Sequence, residues 1–191
     1  MSKYKSIDEI SKITERPSNK GMCVLAVPEI AEIVQNALLH FDGQRYHLSA
    51  WCIMPNHVHL IVTPIGEYTL SQILHSWKSF SANKINEFLK RKGSLWKRES
   101  FDHLIRSVDH WEAFILYIEE NPVKANLCRS KYDWKFSSCG FGYKRSSDLE
   151  FIKPYYVKSG NYTWRGELPH ITKNCGTYFV TFSLIDLKPG Y

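Results

Sequence analysis

A chain of 191 residues, 43% apolar and 23% charged, can bury one hydrophobic core and has the composition of an ordinary globular domain. No run approaches the ~20 uninterrupted apolar residues of a membrane span, and Met1 to Lys20 lacks the apolar stretch of a secretory signal, so neither a membrane protein nor an exported one is expected. Five scattered cysteines with no CxxC pair argue against a disulfide framework or a thiolate zinc knuckle and point to a reducing cytoplasm, while the formal charge of +6 admits a polyanionic partner.

In chain order, residues 1–23 carry little pattern. Val27 to Phe41 reads as an amphipathic helix, with Pro28 in its first turn and Ile30, Ile33, Val34, Ala37, Leu38 and Phe41 at helical spacing. Asp42-Gly43 stops it. Tyr46 to Met54 reads as a strand, Pro55-Asn56 as a bend, and His57 to Thr63 as the antiparallel partner. Thr69 or Ser71 would cap a long helix to about Arg91, ended by Lys92-Gly93-Ser94. Leu95 to Arg106 is expected to be extended. Asp109 would cap a helix from His110 to Glu120, stopping at Asn121 because a residue before proline disfavours helical geometry. Past Leu127 the pattern weakens until a strand at residues 177–184. One domain over 1–191 is expected, with its core at 24–139 and a tail at 140–191.

Charge is unevenly placed. Residues 1–60 balance, whereas residues 76–106 hold Lys78, Lys84, Lys90, Arg91, Lys92, Lys97, Arg98 and Arg106 against three acids. Residues 121–158 repeat that excess, and residues 107–120 between them hold acids but no Lys or Arg. The basic segments are interleaved with Trp77, Phe80, Trp96, Phe101, Tyr132, Trp134 and Phe136, which suits a polyanion with bases to stack on; a plain solvated basic surface would read the same way.

Within the apolar run Trp51 to Val62 stand His57 and His59, two residues apart. In a strand they point to one face, and a polar pair on a core strand is costly unless satisfied, as a divalent cation would do. Alone, a His-x-His pair is more often structural than metal-binding. On the later helix Tyr117 and Asn121 lie four apart and so share a face. If that face meets the histidine face, two imidazoles and an amide oxygen could hold a metal with open positions, beside a phenol. Tyr117 as an interfacial aromatic and Asn121 as a helix cap are the bland alternatives.

These segments resemble the single-tyrosine HUH transposases, specifically the REP-associated tyrosine transposases. The resemblance runs through Trp51-Cys52-Ile53-Met54-Pro55-Asn56-His57-Val58-His59-Leu60, Ser76-Trp77-Lys78-Ser79-Phe80, Leu95 to Arg106, and Tyr117-Ile118-Glu119-Glu120-Asn121-Pro122-Val123-Lys124-Ala125-Asn126-Leu127. It implies an α/β (α+β), ferredoxin-like antiparallel sheet with helices on one face. It also implies a catalytic Tyr117 forming a 5′-phosphotyrosine, metal ligands His57, His59 and Asn121, and Mg²⁺ or Mn²⁺ as the metal, with zinc tolerated by two imidazoles. The substrate would be single-stranded or hairpin DNA of palindromic repeats, with Lys97, Arg98, Arg106 and Lys124 expected on the DNA. Monomer and homodimer both stay open. So do two other functions: a non-catalytic hairpin DNA or RNA binder, and a metallohydrolase with Tyr117 as bystander.

One departure matters. The family opens with a strand of the type Gly-Thr-Tyr-Phe-Val-Thr-Phe beside the histidine strand. Nothing like it precedes Val27, but Gly176-Thr177-Tyr178-Phe179-Val180-Thr181-Phe182 stands near the C-terminus. Circular permutation, donation to a second copy and a misassembled gene each explain that. Pairing of residues 177–184 with residues 57–63 in the same chain is the expectation, because so much β-branched and aromatic surface is not left exposed.

Overall fold

A computed structural model describes residues 23–144, 161–165, 168–172 and 176–185. It contains helices α1 (Pro28–Leu39), α2 (Leu70–Phe88) and α3 (Val108–Lys124). Its strands are β1 (Tyr46–Ile53), β2 (His57–Pro64), β3 (Phe101–Leu104), β4 (Asn161–Arg165), β5 (Leu168–Thr172) and β6 (Tyr178–Ser183). The bend at Pro55-Asn56 folds the apolar run back on itself, the Met54 N–H donating to the His57 carbonyl at 2.8 Å, so β1 and β2 pair antiparallel.

The four-stranded sheet has the order β1-β2-β6-β3 and every pairing is antiparallel. β6 is a central strand, paired within the same chain to β2 on one side and β3 on the other, so the surplus C-terminal strand fills the place of the missing first one. Read from β6, the succession is β-α-β-β-α-β with ferredoxin-like order. β4 and β5 form a separate antiparallel hairpin that the sequence pattern did not reveal.

Both faces of this sheet are covered. α1 and α2 lie on one, where Ile30, Val34, Leu38, Ile73, Trp77 and Ile85 bury against Tyr46, Trp51, Val58, Leu60, Val180 and Phe182. α3 lies on the other, with Ile115 and Ile118 against Ala50, Cys52, Ile61 and Phe179. Helices on one face therefore describes α1 and α2 but not α3. The reason is in β2 itself: a strand apolar at consecutive positions must bury both sides. A bulge between Leu48 and Ala50 changes the phase of β1, so that Leu48 and Trp51, three apart, share the α1/α2 face.

Hydrogen bonds lock the first face. Trp77 Nε1 donates to Tyr46 Oη at 2.8 Å, and that hydroxyl donates to the Leu38 carbonyl at 2.7 Å, joining α2, β1 and α1. Trp96 Nε1 donates to Ser81 Oγ at 2.9 Å.

Several element ends differ from the sequence reading. Thr69, not Ser71, caps α2, in a capping box with Gln72. α2 ends at Phe88 rather than Arg91, since Lys90 turns left-handed at φ 51°. Ser107 caps α3, accepting from the His110 N–H at 3.2 Å; Asp109 lies in the first turn. α3 also runs through Pro122 to Lys124. The proline falls in the last turn, where few backbone bonds remain to be lost, and it is buried. Of the stretch from Leu95 to Arg106, only Phe101–Leu104 is strand. Residues 1–22 and the connection over 145–160 lie outside the described residues.

Among the described residues, none of Cys23, Cys52, Cys128 and Cys139 is in a disulfide, and no helix is long and apolar enough to cross a membrane.

Candidate active site

His57 is the first residue of β2 and His59 the third, so strand alternation turns both toward the α3 face. Their ring centroids are 4.5 Å apart and their Nε2 atoms 2.9 Å apart. His59 is buried, at 6% exposure, and His57 half-buried.

Each ring is held from behind. His57 Nδ1 is 2.6 Å from Asn56 Oδ1, and His59 Nδ1 is 2.7 Å from Thr181 Oγ1. An amide oxygen only accepts, so His57 carries its proton on Nδ1 and turns a bare Nε2 to its neighbour. The Thr181 hydroxyl both donates and accepts, so it satisfies His59 in either tautomer. In one tautomer His59 donates across the gap to His57. In the other it donates to Thr181, and two lone pairs point into the same gap.

Electrostatics keep the pair neutral. Burial pushes His59 down to about 3, with His57 as a second, smaller cause. Burial lowers His57 as well. Unprotonated imidazoles are what a metal ion requires. Among the described residues, no group of three His, Cys, Asp or Glu stands ready to hold a metal, so Glu120 does not complete a cluster with the two histidines.

Tyr117 reaches this pair from the opposite layer. It sits on α3, 40% exposed, with its ring centroid 5.3 Å from that of His59 and 5.9 Å from that of Phe179. Asn121 is half-buried one turn further along α3, beyond Tyr117 and on the same helical face.

The four cations expected on DNA are all exposed, but they do not form one cluster. Lys124 Nζ is 5.9 Å from the centre of the Tyr117 ring. Lys97 and Arg98 lie at the His57 end of the sheet, since the Lys97 N–H donates to the carbonyl of Ser183, the residue paired with His57. Arg106 lies beyond Leu104, at the other end of β3 from the row that holds His59.

Some residues had no role in the sequence reading. Asn56 and Thr181 both orient the histidines; Asn56 was readable as a neighbour of the pair, but Thr181 follows only from the β2–β6 register. Lys78, from the first basic segment, donates to the carbonyls of Lys97, Arg98 and Glu99 and to Ser100 Oγ at 2.6–3.3 Å. Burial lowers its ammonium to about 8. Glu119 is buried and paired with Lys131 at 2.8 Å.

Fold and site together define a protein that sets two histidines of a ferredoxin-like sheet against a helical tyrosine. The family model described as "Transposase IS200 like" matches residues 27–121, about half the chain, and that span contains His57, His59, Tyr117 and Asn121. The chain belongs to this family. It is 26% identical over 111 residues to the REP-associated tyrosine transposase of Escherichia coli, covering 56% of this chain and 63% of that protein. It is also 26% identical over 102 residues to a putative REP-associated tyrosine transposase of Haemophilus influenzae, covering 47% of this chain and 56% of that protein. The chain thus spans less than two thirds of the curated relatives it matches. No solved structure gives a match. β6 lies outside the matched span, as a displaced strand must.

Proposed function

We propose that this chain is a metal-dependent DNA transposase that cleaves and rejoins single-stranded, hairpin-forming DNA through a 5′-phosphotyrosine on Tyr117. The observation that carries the reading is the convergence of two neutral imidazoles, their Nε2 atoms 2.9 Å apart, with a tyrosine ring 5.3 Å from one of them.

His57 and His59 fit a divalent ion. The ion we propose is Mg²⁺ or Mn²⁺, with Asn121 as the third protein ligand on the family resemblance. Bound there, the ion would supply positive charge to the phosphate under attack.

The chain's own residues do the rest. The Tyr117 oxygen attacks phosphorus and gives up its phenolic proton; the bond to the 3′ oxygen of the preceding nucleotide breaks, and that oxygen takes a proton. The 5′ phosphate stays on Tyr117. Attack by a free 3′-hydroxyl reverses the exchange and restores both the phosphodiester and the phenol, with no nucleotide cofactor needed. A neutral phenol is a weak nucleophile, so positioning must compensate. Burial of His59 beneath Tyr117 serves that positioning.

The test is a denaturing gel of protein with labelled single-stranded hairpin DNA and Mn²⁺. A covalent adduct is expected, lost with chelator and in Tyr117→Phe. A mobility shift under native conditions without an adduct would leave only a binding protein; cleavage that survives Tyr117→Phe would mean metal-activated water.

A further inference from the structure

We propose that Phe101 is a stacking platform for a nucleobase of the single strand whose phosphate lies at the His57/His59 pair. It rests on the DNA-cleaving reading above and adds a base-binding subsite to it.

Directly paired residues in a sheet share a face, so Cys52, His59, Thr181 and Phe101 form one row across the α3 side of β1, β2, β6 and β3. Phe101 closes that row and is 50% exposed, although its neighbours inward are buried or hydrogen-bonded. Two strand spacings separate it from His59, about 10 Å and of the order of one nucleotide from phosphate to base. Phe179 lies between Phe101 and Tyr117, its ring centroid 6.2 Å from one and 5.9 Å from the other. Nucleophile and exposed phenyl thus flank a common aromatic floor.

Charge marks the occupant as nucleic acid. The segment entering β3 carries exposed Lys97 and Arg98 against one exposed acid, Glu99, and it is held by the Lys78 ammonium, which lies 2.6–3.3 Å from the carbonyls of Lys97, Arg98 and Glu99 and from Ser100 Oγ. A held aromatic beside surface cations is how single strands are gripped without regard to sequence.

The experiment compares binding of an oligothymidylate with that of an equally long strand made wholly of abasic sites, by fluorescence anisotropy in chelator. The wild type is expected to prefer oligothymidylate. Phe101→Ala should weaken that binding about tenfold to a hundredfold, leave the abasic strand unaffected, and be rescued by Phe101→Trp. Because the side chain is half exposed, circular dichroism melting should match the wild type. The proposal is overturned if Phe101→Ala leaves oligothymidylate binding unchanged, weakens both strands equally, or only dissociates a dimer in sedimentation. Binding of neither strand by the wild type would bring down the DNA reading as well; a covalent adduct with an inert Phe101→Ala removes the stacking subsite alone.

Discussion

β6 shows two faces with opposite tasks. Toward α1 and α2 it presents Tyr178, Val180 and Phe182, all buried in the larger cluster, where even the polar atoms of Tyr46, Trp77, Ser81 and Trp96 are bonded to one another. Toward α3 it presents Phe179 and Thr181, the floor and the support of the histidine pair. The first face is sealed, while the second is rimmed by the exposed rings of Phe101 and Tyr117. Period-two alternation lets one strand stabilise the domain with alternate residues and serve its site with those between. A substitution on β6 should therefore affect stability or site chemistry according to its parity.

Phe182→Ala breaks the sealed face and should have the largest effect on stability. The side chain is fully buried and its ring packs 4.9 Å from that of Trp96. Loss of about 3–5 kcal/mol is expected, a large share of a domain's stability, measured by urea unfolding. A loss below about 1 kcal/mol would mean that β6 is dispensable to the sheet.

Acid should act next, through the other face. Folded His59 titrates at about 3, against about 6.5 for an unfolded imidazole, and His57 is lowered in the same direction. Above pH ~6.5 both states are neutral and the histidines leave stability independent of pH. As pH falls below that, the unfolded chain takes up protons that the folded chain refuses, so stability declines until folded His59 also protonates near pH 3. Urea midpoints should fall from pH 6.5 to 4, and fall less in His59→Gln. An equal fall in both would assign the acid sensitivity to other groups.

How much of this was legible follows from how local each signal is. The histidine pair and the tyrosine turn are read within a few residues, and the surplus strand at residues 177–184 revealed itself because β2 lacked a neighbour. Pro28 and Thr69 announced their helix starts; Pro122 misled, because a proline in a last turn costs less than one in a helix interior. The burial of Glu119 against Lys131 and the cage of carbonyls around Lys78 were not visible, since each depends on segments meeting in space. The same holds for Arg106, which sequence puts in the basic segment and the register of β3 takes away from His59.

Thr181→Val sharpens the comparison within β6 itself, because it keeps the β-branched shape and removes only the hydroxyl that holds His59 Nδ1. Partners behind a metal-binding histidine are worth about tenfold to a hundredfold in affinity. Mn²⁺ binding, followed by electron paramagnetic resonance, should weaken by that factor with thermal stability nearly unchanged, and Thr181→Ser should restore it. Equal weakening by the serine variant would indicate lost packing rather than a lost hydrogen bond.

The smallest effect belongs to neither face but to the entry of α3. Ser107 Oγ accepts the His110 N–H at 3.2 Å, and an N-cap of this kind is worth about 1 kcal/mol. Ser107→Ala should lower stability by about that amount in urea, whereas Asp109→Ala, which removes only a first-turn charge, should cost less and the more so at high salt. Because Tyr117 lies more than two turns downstream, both variants should still form the covalent adduct. If Ser107→Ala abolished the adduct without unfolding the chain, α3 would have to move as a unit, coupling its first turn to the tyrosine.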